Sequence, residues 1–184
     1  MDQTLAQYNA AVQSCKDIFL KKTRDYGSSW RVLRTISIAD QIFIKAQRIR
    51  TIQQKGKQKV ADDIRDEFIG MVNYGIIGLI QLDLGESIIE EVSPEVAEKK
   101  FDFAVSHVKE IMKDKNHDYG EAWRDMSQEG FVDLILMKIM RIRQILANQG
   151  KTLISEGIDA NYTDIVNYSL FALILIREGK HGQS

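Results

Sequence analysis

The chain writes Lys-x-x-Asp-Tyr-Gly-x-x-Trp-Arg twice, at residues 22–31 and 115–124. This doubling restricts the fold more than any other feature, because self-similarity at a long period means that one structural unit is built twice. A shift of 93 lays residues 15–52 on 108–145, with 15 of 38 positions identical. Among them are Asp25/Asp118, Tyr26/Tyr119, Gly27/Gly120, Trp30/Trp123, Arg31/Arg124, Asp40/Asp133, Lys45/Lys138 and Arg48/Arg141. One inserted residue then changes the shift to 94. Gly56-Lys57 falls on Gly150-Lys151, Val72-Asn73-Tyr74 on Val166-Asn167-Tyr168, and Gly85 on Gly179.

Each copy reads as three helices, about 3–24, 37–54 and 62–84 in the first and about 95–116, 130–148 and 161–178 in the second. Pro94 is the single proline, so almost nothing interrupts the helical periodicity. The expected fold is an all-α, tandem-duplicated helical bundle. Residues 1–86 form the first repeat, 87–94 a linker with a short helical turn, and 95–184 the second repeat. A half of roughly 90 residues and three helices cannot cover its own apolar faces, so the halves pack about a pseudo-two-fold axis, as in a fused dimer.

The formal net charge is −1. No global basic field exists, direct nucleic-acid binding is not expected, and any anion site must be local. Cys15 is alone, which excludes an internal disulfide and points to a reducing compartment. The longest apolar run, residues 169–176, is shorter than the roughly 20 residues a membrane span needs. The N-terminal stretch lacks the basic and apolar regions of a signal peptide. The expectation is a cytoplasmic protein with no membrane partner.

On a helical wheel, Phe131, Ile135, Ile139, Ile142 and Ile145 form one stripe, and Lys138 lies inside it. Lys45 sits likewise among Ile38, Ile42, Ala46, Ile49 and Ile52. Arg141 and Arg48 lie at the stripe edges, with Asp133 and Asp40 further round. A buried ammonium needs a partner. Either each lysine snorkels or pairs with a core carboxylate, or Lys and Arg one turn apart form a phosphate clamp. The repetition in both halves favours the clamp.

The last helix is apolar nearly all round yet carries Asp164 and Asn167 one turn apart, with Glu156 and Asp159 just before it. These carboxylates suit a hard cation such as Mg²⁺ that bridges to phosphate. Helix–helix contacts for Asp164 and Asn167, and caps from Glu156 and Asp159, are the structural reading of the same residues. The first repeat differs. Gly70 stands at the Asp164 position and Glu67 at the Asn161 position, while Asn73 is kept and Asp62, Asp63 and Asp66 lie nearby in another register. Trp30 and Trp123 read as plugs at the bundle end, and Tyr119 as the better ligand contact. His107, His117 and His181 show no metal-ligand spacing, and no Gly-rich phosphate loop or nucleophile elbow is present.

The doubled K-x-x-DYG-x-x-WR, the helices DQIFIKAQRIR and DLILMKIMRIR, and the ending GKTLISEGIDANYTDIVNYSLFALI resemble the nucleotide modification associated domain of the first type, in two copies over nearly the whole chain. That family in turn resembles the MazG-type all-α nucleotide pyrophosphohydrolases. The resemblance implies Mg²⁺ held by acidic residues and cleavage of a nucleoside triphosphate to monophosphate and pyrophosphate. The Glu-x-x-Glu and Glu-x-x-Asp pairs of the MazG type are not present in clean form; Glu156, Asp159 and Asp164 are the stand-ins. Asp133, Lys138 and Arg141 match the helix facing them in related phage-type enzymes.

The leading expectation is therefore a Mg²⁺-dependent pyrophosphohydrolase acting on (deoxy)nucleoside triphosphates, modified ones included. Glu156 and Asp164 hold the metal, and Asp133 is a further ligand or orients water. Lys138 and Arg141 neutralise phosphate, and Asp118, Tyr119 and Asn167 contact substrate, with Lys45, Arg48 and Asn73 at the matching positions of the first repeat. The alternative is a nucleotide-binding or helical interaction module without turnover. Pairing into a homodimer stays open.

Overall fold

The computed structural model describes residues 2–57, 59, 63–85, 89–153 and 155–181. Asp62, residue 86 at the end of the first repeat and residues 87–88 of the expected linker lie outside the described residues. Six helices follow in order: α1 Asp2–Tyr26, α2 Thr35–Lys55, α3 Ile64–Leu84, α4 Pro94–Tyr119, α5 Gln128–Ala147 and α6 Ile158–Arg177. A 3₁₀ turn follows α1 at Ser29–Val32 and another follows α4 at Ala122–Asp125, and the described residues contain no strand. The all-α, three-helix repeat expected from the sequence is what forms.

Local chemistry explains the boundaries. Pro94 occupies the first turn of α4, where its missing N–H costs nothing, and the Ser93 hydroxyl accepts from the Val96 N–H at 3.2 Å. Gly120 ends α4 in the left-handed region at φ 59°, and Gly27 follows α1 at φ 63°. The Asp-Tyr-Gly motif is thus a helix stop in both repeats.

Like packs on like. The most extensive contact in the molecule joins α3 to its counterpart α6, and α2 packs on its counterpart α5. Within each half, α2 lies on α3 and α5 on α6; α1 reaches across to α6 as α4 reaches across to α3. Exchanging the halves preserves this list, which is the expected pseudo-two-fold arrangement. Close approach of α3 and α6 depends on small residues. A Cβ on Gly75 would stand 2.6 Å from Val166 Cγ2, and one on Gly78 would stand 2.6 Å from Tyr162 Cζ. The core is continuous across the halves, with Phe68, Met71 and Ile76 on α3 and Tyr162, Ile165 and Leu175 on α6 fully buried. Among the described residues, α3 is long and apolar enough to cross a membrane, and 61 % of that stretch is buried inside the bundle.

The two repeated Trp-Arg pairs close the bundle ends. Trp123 stacks on Phe171 at 4.2 Å between centroids, and Trp30 lies 6.4 Å from Phe19. Arg124 donates to Thr4 Oγ1 (2.7 Å), Gln7 Oε1 (2.8 Å) and Glu178 Oε1 (3.1 Å), tying α1 to the end of α6. Arg31 donates to the Glu90 carbonyl at 3.1 Å and to Gln81 Oε1.

Candidate functional site

Lys138 lies in the apolar stripe of α5 and is 7 % exposed. Its ammonium is compensated by Asp164 of α6, with Nζ 2.7 Å from Oδ2. The other carboxylate oxygen accepts from Lys115 Nζ of α4, also at 2.7 Å. Burial opposes the charge on Lys115, but the bond to Asp164 outweighs it and raises the lysine pKa. One turn further, the Tyr168 phenol is pushed up, first by burial and then by the Asp164 charge. Lys115, Arg141 and Tyr119 also act on that phenol, so these groups share one neighbourhood.

One turn on from Lys138 along α5 comes Arg141, which lines a pocket together with Asn161 and Glu156. The pocket measures about 900 Å³ and is also lined by Gln144, Asn148 and Lys151 among others. Arg141 makes a long contact to Met137 Sδ at 3.7 Å, and no ion pair of Arg141 or Lys151 is found among the described residues. α6 starts after Gly157 with no side-chain cap, leaving its first N–H groups to other acceptors. Asn161 Nδ2 donates to the Gly157 carbonyl at 2.8 Å, and its buried Oδ1 has no partner among the described residues.

The first repeat places its acid one turn earlier. Glu67, at the Asn161 position, meets Arg48 Nη1 at 3.0 Å and Lys45 Nζ at 3.7 Å. Gly70, at the Asp164 position, leaves room that Lys45 fills: a Cβ there would stand 2.7 Å from Lys45 Cε. α3 is capped by Asp63, whose side chain accepts from the Arg65 N–H at 3.0 Å. Each half thus has three cations and one buried acid, and the acid neutralises opposite ends of the row.

A family description, nucleotide modification associated domain 1, matches residues 22–82 and again residues 115–176. The chain belongs to this family. Two copies of the domain account for the doubled motif and for both pocket-bearing halves. Searches of curated proteins and of solved structures each return no match.

In this member of the family the residues expected to act together are divided. Arg141 and Glu156 share the pocket, and Lys138 and Asp164 form the buried pair one turn away. Asp133 does not join them. It faces Arg50 Nη1 of α2 at 3.5 Å, and its counterpart Asp40 meets Arg143 Nη2 at 2.9 Å. These are matched bridges across the pseudo-two-fold axis. Asn167 is spent internally, since Oδ1 accepts from Tyr8 Oη at 2.7 Å and Nδ2 donates to the Val108 carbonyl at 3.3 Å. Asn73 Nδ2 makes the matching bond to the Cys15 carbonyl at 3.0 Å. Asp118 pairs with His117 at the surface, and Tyr119 is 72 % exposed at the end of α4. Asp159 lies in the first turn of α6 without capping it; Gly157 is the N-cap.

The expected trio of Asp133, Glu156 and Asp164 is therefore not assembled. Among the described residues no three His, Cys, Asp or Glu side chains gather as metal ligands. Asp164 already gives both oxygens to lysines. The donor set does not fit a resident magnesium ion. Sequence reading also passed over Lys115 and Tyr168 as site residues, although the duplicated Lys-x-x-Asp-Tyr-Gly contains the first.

Proposed function

We propose that the second repeat binds a nucleotide by its phosphates in the pocket at the open end of α6. One observation supports this most: among the described residues Arg141 has no carboxylate partner, while its twin Arg48 is neutralised by Glu67. A guanidinium fork matches phosphate geometry. Lys151 adds a second cation, and Gln144, Asn148 and the unpartnered Asn161 Oδ1 suit the polar edges of a base or sugar. The pocket volume falls in the range of small-molecule sites. Calorimetric titration with the common NTPs and dNTPs tests the reading. Saturable binding, at least tenfold weaker in Arg141→Ala, is the expected result; equal affinity in that variant removes the site.

Glu156 favours a second reading. A carboxylate beside a phosphate clamp is placed to act as a general base on water. On this reading the protein is a pyrophosphohydrolase of the MazG kind, releasing monophosphate and pyrophosphate from nucleoside triphosphates, modified ones included. No step is assigned to magnesium, because the carboxylates do not assemble around it. Product analysis with and without Mg²⁺ separates the readings. Monophosphate and pyrophosphate that vanish in Glu156→Gln establish turnover; binding without product establishes the module.

A further inference from the structure

The first repeat contains a different pocket. It measures about 640 Å³ and lies one turn away from the position matching the Arg141 pocket, bordered by Lys22, Lys45, Gly70 and Asn73. Lys22 and Lys45 are the counterparts of Lys115 and Lys138, which in the second repeat both hold Asp164. Here Gly70 replaces that aspartate, and among the described residues Lys22 has no ion-pair partner. Glu67 cannot substitute fully. It sits one turn earlier, closer to Arg48 than to Lys45.

We propose that this pocket binds a small organic carboxylate, whose charged group fills the role Asp164 plays in the other half. The two copies serve as each other's control. Where the carboxylate is built into the chain, it holds both Lys138 and Lys115; where glycine replaces it, a pocket is bordered by Lys45 and Lys22. The walls define the rest of the ligand. Ile18, Phe19, Trp30, Ile69, Tyr74 and Ile77 form an apolar, partly aromatic lining suited to a ring-sized body. Asp66 and Glu67 on the same rim disfavour a dianion, so a carboxylate is preferred to a phosphate monoester. This site does not rest on the nucleotide reading, which concerns Arg141.

Calorimetry with 2-naphthoate and benzoate, against inorganic phosphate, tests the proposal on the full chain. Naphthoate is expected to bind saturably at 1:1, benzoate more weakly, and phosphate not at this site. Gly70→Asp restores the missing acid, and its Cβ meets only the flexible end of Lys45, which can swing aside. That variant should weaken naphthoate binding at least tenfold. Lys22→Gln, at an exposed position, should also weaken it, and Arg141→Ala should leave it unchanged. Absence of saturable naphthoate binding overturns the proposal. So does binding indifferent to Lys22→Gln, or binding lost in Arg141→Ala. If only Arg141-dependent nucleotide binding fails, the nucleotide reading falls and this one stands.

Discussion

Lys138 Nζ and Asp164 Oδ2 are 2.7 Å apart with both side chains 8 % exposed, and Lys115 holds the second carboxylate oxygen. This triad answers what a lysine does inside an apolar stripe. Through it Asp164 of α6 ties α4 and α5 together.

Removing one member of a buried charge group leaves the others uncompensated. Asp164→Ala should cost about 3–5 kcal/mol in urea unfolding. Lys115→Ala, at the half-exposed end, should cost about 1 kcal/mol or less. Equal losses would mean that burial does not set the energetics of the triad.

Asp133 provides the contrast. It is 63 % exposed on the side chain and pairs across the two-fold with Arg50. Asp133→Asn should change stability by no more than about 1 kcal/mol and leave nucleotide binding and any turnover intact. A large loss of activity in this variant would return Asp133 to the site.

Tyr8 and Phe101 are counterparts, but only Tyr8 has a hydroxyl to donate to the asparagine of the opposite half. Among the described residues Asn73 Oδ1 is accordingly buried without a partner, whereas Asn167 Oδ1 is satisfied. Tyr8→Phe should destabilise by about 1–3 kcal/mol, because it orphans a second buried acceptor. Phe101→Tyr should raise the melting temperature by completing the symmetric bond. The comparison is made by calorimetry of the single and double variants.

Acid should weaken the bundle end first. Burial would raise the Glu121 pKa, but the Thr4 hydroxyl and Arg124 outweigh it and hold the carboxyl below its ordinary range. Gln7, with Lys180 and Arg124, does the same for Glu178. A depressed folded pKa contributes stability above the unfolded value of about 4.3, and that stability is lost as pH falls through the folded value. Arg124→Gln should therefore flatten the acid limb of a stability-against-pH curve. The sign reverses at high pH. Lys16 and Lys115 have raised pKa values, so their contribution is complete below about 10.4 and fades as pH climbs through the folded value.

The helices and their pairing were legible because apolar spacing and the repeat act over short, regular distances. The stripe position of Lys138 was legible for the same reason. Its partnership was not, because Asp164 is shared with Lys115 on a third helix. The sequence also displayed the exchange of Asp164 for Gly70 and Asn161 for Glu67. Which cation each exchange releases depends on side-chain reach, as Lys45 curling over Gly70 shows. Asn167 faces the same way as Asp164 on a wheel, but a tyrosine 159 positions away consumes it. Asp133 misled for a related reason: its partner Arg50 belongs to the other repeat.

The covalent join between the repeats has a consequence for how such a site can change. In a dimer of identical single-copy chains, an acid introduced in one protomer is introduced in both, and the two pockets must remain alike. Here Glu67 and Asp164 sit on one chain but at different turns. Fusion breaks the obligation to symmetry, and one copy can keep an inherited ligand while the other is free to acquire a new one.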